Sequence, residues 1–136
     1  MAEELRLSGR ITWIGHQDNE QKFSVLAGHD LIILPSHDEN FANVVIESLS
    51  VGTPVLISSN VGLADYVLEN QLGWVCSTNE KELARTIENS FSNLKSRKEI
   101  RVSAPRQIRT DFDNENLLNR YMQMYRGIAS IISPSN

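Results

Sequence analysis

The segment from Asp30 to Ser58 constrains the fold of this chain more than any other part. In it an apolar run, a polar loop, a helix-forming stretch and a second apolar run follow one another directly. The first run, Asp30 to Leu34, is typical of a strand buried on both faces, as in a parallel sheet. Pro35 ends that run because proline cannot donate to the hydrogen-bond ladder. The second run restarts at Pro54 as part of TPVLIS, so the order strand–loop–helix–strand predicts an α/β fold with a parallel sheet.

The helix between the two runs is predicted to begin near Ala42 or Asn43. Gly52 is expected to end it, because glycine readily takes the left-handed conformation that follows many helices. The apolar side of this helix consists of Val44, Val45, Ile46, Leu49 and Val51.

Two glutamates give this unit its candidate chemistry. Glu39 lies in the loop, and Glu47 lies eight positions later, about one turn inside the helix. Ligands of open α/β sheets bind beyond the carboxyl ends of the strands, and a helix N-terminus there suits a diphosphate. Helical side chains lean toward the N-terminus, so Glu47 can reach the same ligand and accept hydrogen bonds from ribose hydroxyls. Acidic loop residues are usually only solvated, so the two glutamates alone do not indicate a binding site. The interpretation depends on the sequence segments around them.

Those segments occur in a specific order between Ile11 and Cys76. They read ITWIG, EQKFSVLAGHD, DLIILPS, ENFA, Glu47 and GTPV, followed by ISSNVGLADYVLENQLGWVC. The whole pattern resembles the nucleotide-sugar site of family 4 glycosyltransferases. The resemblance implies a Rossmann-like three-layer α/β/α domain with a parallel sheet, the C-terminal half of a GT-B fold, in which ITWIG is a strand that ends at Gly15.

The resemblance also implies roles for individual residues. Glu39, the candidate catalytic residue, would contact hydroxyls of the donor sugar, and Glu47 would hold the ribose. The family often has glycine where this chain has Ala42, whose methyl group is expected to change the shape of the site only modestly. The other implied donor-binding residues are Phe41, Ala42, Asn43 and Val44 through their backbone amides, Gly15 and His16 beside the base, and Gly62 in the loop after the second strand.

The activity implied is retaining transfer of a hexose from a nucleoside-diphosphate sugar to a glycan or lipid-linked acceptor, with no cofactor and no metal. The family's cationic Arg and Lys precede the matched region, and Arg6 and Arg10 do not correspond to them. Residues 1–136 are therefore expected to form one nucleotide-sugar-binding domain, truncated at its N-terminal edge and inactive in isolation. Its partners would be the nucleotide sugar and the missing N-terminal GT-B domain, and self-association through an exposed sheet edge is plausible.

Two other classes of function remain open at this point. One is a different GT-B enzyme, such as a nucleotide-sugar epimerase or a phosphorylase. The other is a noncatalytic nucleotide-sugar-binding module, for which substitution of both glutamates would change nothing.

Composition restricts the partners and the compartment. A net charge of −4 without a long basic run argues against a nucleic-acid partner. The single Cys76 fits a reducing compartment and reads as a small buried residue at a strand end. The expected location is cytoplasmic, with at most peripheral contact at the inner face of the membrane. The triplet Asp111-Phe112-Asp113 resembles a metal-binding motif of another glycosyltransferase fold. Capping of the next helix explains its two carboxylates better.

The C-terminal half is predicted to be helical. Asn79 to Leu94 forms one amphipathic helix with a cap at Thr78 or Asn79. Lys95 to Thr110 is a mixed-charge helical stretch that Pro105 interrupts. The last helix, about 114–132, is expected to lack the partner surface on which the resemblance would place it.

Overall fold

The structure of this protein is a computed structural model that describes residues 2–132, apart from the side chains of residues 19, 116, 120 and 126–132. A short 3-10 helix, Ser8–Arg10, precedes the main elements. The strands are β1 (Ile32–Leu34), β2 (Val55–Ser58) and β3 (Gly73–Cys76). The helices are α1 (Asn19–Ala27), α2 (Asn43–Ser50), α3 (Ala64–Glu69), α4 (Glu80–Ser92), α5 (Leu94–Asp111) and α6 (Asn114–Ile132).

The three strands form one parallel sheet in the order β1-β2-β3. Ile32 lies opposite Val55, and Val55 lies opposite Gly73. Each strand is joined to the next by a helix, which is the usual way to connect parallel neighbours. The predicted α/β fold with a parallel sheet flanked by helices is therefore confirmed.

The core lies between the sheet and the helices α2, α3 and α5. All four residues of β2 are buried, as expected for a central strand of a parallel sheet. The helices contribute side chains that are fully or almost fully buried: Val45 and Leu49 from α2, Val67 from α3, and Ile100, Ala104 and Ile108 from α5. The close packing of α5 on α2 gives the loop at the start of α2 a rigid support.

The helix boundaries follow the capping signals in the sequence. The Asp18 side chain accepts from the amide of Gln21 at the start of α1, and the Asn79 side chain accepts from two amides at the start of α4. Helix α2 ends at Ser50, and Gly52 follows with a φ of +86°. The Asp113 carboxylate accepts from the amide of Glu115 at 3.1 Å, so it caps α6 as the sequence indicates.

The predicted strand Ile11–Gly15 is wrong in this structure, because those residues lie in no helix or strand and Trp13 is 84% exposed. The classic strand order of a doubly wound sheet is 3-2-1-4-5-6. If β1, β2 and β3 take positions 4, 5 and 6, the Ile11–Gly15 segment takes position 3 and is separated from β1 by two positions. No described strand lies beside it, and a lone segment has no partner for its backbone hydrogen bonds.

Two further expectations are corrected. Strand β1 is shorter than predicted and is not buried on both faces, since Ile33 is 40% exposed on a strand at the edge of the sheet. Pro105 does not interrupt α5, which continues from Leu94 to Asp111. Burial of Ile100, Ala104 and Ile108 against α2 holds the helix together across the proline.

The helices between residues 2 and 132 include none with the length and apolar character needed to cross a bilayer.

Candidate functional site

Two loops at the carboxyl ends of β1 and β2 are joined side by side. The amide of Glu39 donates to the carbonyl of Asn60 at 3.3 Å, and the amide of Gly62 donates to the carbonyl of Glu39 at 2.8 Å. The Asn60 side chain adds a hydrogen bond to the carbonyl of His37 at 2.8 Å, and the Ser58 hydroxyl donates to the carbonyl of Ser36. The loop that carries Glu39 is therefore held in place by hydrogen bonds to the neighbouring loop, unlike most surface loops.

Gly62 is the point of closest approach between the two loops. A Cβ atom built on it would lie 2.0 Å from the carbonyl oxygen of Asn40, far inside van der Waals contact. Only glycine fits here without moving a backbone segment apart. The predicted role of Gly62 as a ligand contact stays a prediction, and the structure shows a structural role for this residue next to Glu39.

A polar pocket of about 280 Å³ opens between these loops. It is lined by three carboxylates, of Asp38, Glu39 and Asp65, together with the Asn60 amide and the Ser59 hydroxyl. Such a set is rich in acceptors and suits a ligand that presents several hydroxyl donors. The remaining lining residues are Asn40, Val61, Gly62 and Ala64.

Helix α2 begins directly after the Glu39 loop. Its N-cap is Ala42, which supplies no side-chain acceptor to the amides of the first turn. The amides of Asn43 and Val44 thus belong to a helix N-terminus without a side-chain cap, where the helix dipole also favours an anion. The Ala42 methyl group, for which the sequence predicts only a modest effect on the shape of the site, is 5% exposed and packed in the core.

Glu47 forms an ion pair that the sequence analysis missed. Its Oε1 atom lies 2.7 Å from Nζ of Lys22, and the two side chains are 25% and 31% exposed. Helices α1 and α2 both begin at the carboxyl edge of the sheet, and each of these residues lies about one turn inside its helix. Lys22 precedes Glu47 by 25 positions, so no local spacing in the sequence links them.

Gly15 and His16 lie before α1 at the same edge of the sheet. Gly15 has a φ of +64°, a conformation that favours glycine, and both residues are exposed. The Gln17 side chain donates to the carbonyls of Ile14 and His16 and so organises this turn. Among the described residues no hydrogen bond joins Gly15 or His16 to the Glu39 loop, so their donor-binding role stays a prediction.

The Phe41 side chain turns away from the polar pocket. Its ring centre lies 6.4 Å from that of Phe112, and Phe112 also packs edge-to-face on Tyr66 at 5.3 Å. These rings border an apolar groove of about 430 Å³ between α3 and the start of α6. The Phe41 side chain therefore contributes to packing, and the donor-binding role of its backbone amide stays a prediction.

The acidic triplet at Asp111 is structural. The Asp111 carboxylate accepts from the Tyr66 hydroxyl at 2.7 Å and from the Gln107 amide at 2.7 Å. Asp113 caps α6. Among the described residues, no group of three or more His, Cys, Asp and Glu side chains is placed to hold a metal ion.

Cys76 ends β3 and is 3% exposed, as the sequence indicates for a small buried residue. Burial raises the pKa of its thiol above the ordinary value, and the nearby carboxylate of Glu82 adds to the shift. The Ser77 hydroxyl donates to Glu82 and lowers the pKa of that carboxyl. Cys76 thus contributes to packing at this strand end and does not line the polar pocket.

Comparison with known proteins gives one family match. The family described as "Glycosyl transferases group 1" matches residues 1–107. Two solved structures share the fold. Sucrose-phosphate synthase of Thermosynechococcus elongatus superposes with a TM-score of 0.79 at 24% identity over 96% of this chain and 33% of that one. WaaG, a glycosyltransferase involved in lipopolysaccharide biosynthesis, superposes with a TM-score of 0.64 at 20% identity over 83% of this chain and 30% of that one.

Curated proteins match over similar spans. A glycogen synthase of Mycobacterium tuberculosis is 26% identical over 125 residues, which is 91% of this chain and 30% of the relative. The lipopolysaccharide core biosynthesis glycosyltransferase LpsE of Rhizobium meliloti is 27% identical over 125 residues, or 91% of this chain and 36% of the relative. A D-inositol 3-phosphate glycosyltransferase of Mycolicibacterium smegmatis is 36% identical over 73 residues, or 54% of this chain and 17% of the relative. The chain thus spans about a third of the length of the first two relatives.

Proposed function

The chain belongs to the glycosyl transferases group 1 family, and on that premise we propose that it is the donor-binding part of a retaining glycosyltransferase. The parent enzyme would transfer a hexose from a nucleoside-diphosphate sugar to a glycan or lipid-linked acceptor. One observation carries this proposal. The loop of Asp38, Glu39 and Asn40 lines the acceptor-rich polar pocket and leads within three residues into a helix N-terminus that has no side-chain cap.

Each part of a nucleotide sugar has a counterpart in this arrangement. The sugar would lie in the polar pocket, where Glu39 accepts hydrogen bonds from its hydroxyls. The diphosphate would lie against the amides of Asn43 and Val44, because unpaired N–H groups and the helix dipole both favour an anion there. Glu47 would accept hydrogen bonds from the ribose.

The ion pair between Lys22 and Glu47 supports the assignment of Glu47. Lys22 contacts Oε1 of the carboxylate, so the other oxygen is left for a ribose hydroxyl. The contact also restricts the side chain to one direction and reduces the entropy lost when ribose binds. Lys22 is accordingly a positioning residue for nucleotide binding.

The mechanism we propose requires no general base from this chain. The reaction breaks the bond between the anomeric carbon and the diphosphate, so charge develops on the leaving oxygen. A preorganised helix N-terminus stabilises that charge without reorganising during the reaction. Further cations and the acceptor site would come from the N-terminal domain of a longer parent, in keeping with the fraction of the relatives' length that the chain spans.

The direct test is ligand-observed NMR of this chain with UDP, GDP and ADP, and with UDP-glucose and GDP-mannose. We expect saturation transfer to nucleotides of one base, and binding about tenfold to a hundredfold weaker in Glu47→Gln, because loss of a charge-assisted hydrogen bond costs about 1.5–3 kcal/mol. Lys22→Gln should weaken binding by a smaller factor, since it removes only the residue that positions Glu47.

The matched control is Glu69→Gln, which neutralises an exposed glutamate on α3 outside the polar pocket. Equal nucleotide binding in the wild-type chain, Glu47→Gln and Glu69→Gln would contradict the assignment of Glu47. Absence of binding in both this chain and the full-length parent would favour a nucleotide-free phosphorylase, whereas nucleotide-sugar binding without transferase activity in the parent would favour a noncatalytic module.

A further inference from the structure

A second pocket lies at the opposite, amino-terminal edge of the sheet. It has a volume of about 460 Å³ and is bounded by the connection between α1 and β1 and by the first two turns of α5. We call it the basic pocket, because its lining contains three cations and one carboxylate. Its lining residues are Ala27, Gly28, Asp30, Leu94, Arg97, Lys98 and Arg101.

The three cations lie together because of helical periodicity. Leu94, Arg97, Lys98 and Arg101 are spaced i, i+3, i+4 and i+7 along α5, so they share one face of the helix. They form this cluster in a chain whose net charge is −4. The carboxylate of Asp30 offsets one of the three positive charges, so the lining of this concave site has an excess of two positive charges.

Arg97 is recessed in the pocket and its hydrogen-bonding capacity is poorly used. Its side chain is 14% exposed, and it makes a 3.5 Å ion pair to Asp30 and a 3.3 Å hydrogen bond to the carbonyl of Phe91. Its guanidinium carbon also lies over the Phe91 ring, 4.8 Å from the ring centre. Its Nε atom is buried and has no hydrogen-bond partner among the described residues. A guanidinium has five N–H donors, and buried donors of this kind are normally satisfied. Among the described contacts the two terminal nitrogens make one hydrogen bond and one long ion pair, so they keep donors for an anion in the pocket.

Arg101 and Lys98 complete the site in different ways. The Arg101 guanidinium donates to the carbonyls of His29 at 2.9 Å and Ala27 at 3.4 Å, which fixes the α1–β1 connection as one wall. Lys98 is exposed, so its ammonium group is available at the rim. The pocket therefore combines a hydrogen-bonded wall, a recessed guanidinium and an exposed cation.

We propose that the basic pocket binds the phosphoryl group of a small phosphate monoester. A phosphate dianion matches the excess of two positive charges, and arginine suits its planar pairs of oxygens. The pocket volume lies in the range typical of small-molecule sites. A membrane surface fits less well, because the recessed Arg97 could not reach a flat layer of headgroups. The site lies at the other end of the sheet from the donor and does not depend on the function proposed above.

Substitution of Asp30 should change phosphate affinity in the opposite direction to substitution of a cation. Its side chain is 73% exposed and its distance from Arg97 is long, so it pairs loosely with the cation that the phosphate would use. Like charge repels the incoming dianion. Removing this carboxylate should therefore strengthen binding, whereas removing a cation should weaken it.

The test is a titration of this chain with inorganic phosphate at pH 8 and low ionic strength. Calorimetry measures the affinity, and backbone amide NMR shows where the phosphate binds. We expect Lys98→Gln to weaken binding about threefold to tenfold and Arg97→Gln to weaken it more than tenfold, while Asp30→Asn tightens it severalfold. Arg106→Gln is the matched control, because Arg106 is an exposed arginine on α5 outside the pocket. The exposed Lys98 and Asp30 keep the test decisive even if the Arg97 variant fails to fold.

Three results would overturn the proposal. The first is unchanged phosphate affinity in both Lys98→Gln and Asp30→Asn. The second is phosphate-induced shifts confined to Asn43 and Val44, which would place the anion at α2. The third is sedimentation with phosphatidylglycerol vesicles, but not with phosphatidylcholine vesicles, by a chain that does not bind free phosphate. That result would identify a membrane-binding surface.

Discussion

At the scale of single residues, the shape of the polar pocket depends on Gly62 as well as on the carboxylates that line it. The carbonyl of Asn40 occupies the space that a side chain at position 62 would need. The same contact brings the carbonyl of Glu39 to the amide of Gly62 and so determines where the Glu39 side chain begins. Because Gly62 has no side chain, the two loops can pack closely enough to fix the position of Glu39.

Gly62→Ala should separate the two loops. We expect a loss of about 1–3 kcal/mol in the free energy of unfolding, because the added methyl group forces a backbone shift, together with weaker nucleotide-sugar binding. Urea unfolding and ligand-observed NMR would measure the two effects. Gly9→Ala is the control, since nothing lies within 4 Å of a Cβ atom at that position. Wild-type stability in Gly62→Ala would show that the loops are not packed as described.

Glu39→Ala in the full-length parent should chiefly lower kcat. The lost hydrogen bonds orient the donor sugar for reaction, and we expect a decrease of about tenfold to a hundredfold with a smaller change in donor KM. Steady-state kinetics beside Glu69→Gln would measure it. Turnover at the wild-type level in Glu39→Ala would refute the role assigned to this carboxylate.

At the scale of secondary-structure elements, α5 shows how packing overrides local propensity. Pro105 cannot donate to the carbonyl of Arg101 four residues earlier, and a proline usually kinks or ends a helix. The sequence therefore predicts an interruption there. The helix continues because its buried residues on both sides of Pro105 pack against the same core. Helix starts were predicted better, since the caps Asn79 and Asp113 act through hydrogen bonds within a few residues.

Pro105→Ala should stabilise the chain. The substitution restores a donor to the carbonyl of Arg101, and we expect a gain of about 1–2 kcal/mol after the greater entropy of the unfolded alanine chain is subtracted. Thermal and urea unfolding would measure it, with Ser103→Ala at an exposed position of the same helix as control. A decrease in stability would mean that the proline ring makes packing contacts worth more than the hydrogen bond.

At the scale of the whole molecule, the sheet has an edge that the described elements leave without a strand neighbour. Strand β1 pairs with β2 on one side, and no strand among residues 2–132 lies on its other side. Ile33 on β1 is 40% exposed, and Trp13 and Ile14 in the segment before α1 are also exposed. An uncovered apolar edge of this kind is a template for pairing with another chain.

The isolated chain should therefore associate as its concentration rises. Ile33→Lys should reduce that association, because a charged side chain on an edge strand opposes pairing. Sedimentation velocity over a range of concentrations would measure the change, with Leu68→Lys on α3 as a control for adding charge at another exposed apolar position. If the wild-type chain stays monomeric throughout, the edge does not drive self-association.

The sequence by itself determined the order of the elements, the parallel sheet, the helix caps and the position of Glu39 and Glu47 in a loop and in the helix after it. These features depend on periodicity, on turn residues and on hydrogen bonds between residues close in the chain. The tertiary structure decided what depends on residues far apart. It brought Lys22 to Glu47, placed Gly62 against Asn40, buried the Ala42 methyl group and gathered the basic pocket around Arg97. It also left Ile11–Gly15 outside the sheet, because a strand forms only where a neighbouring strand accepts its backbone hydrogen bonds.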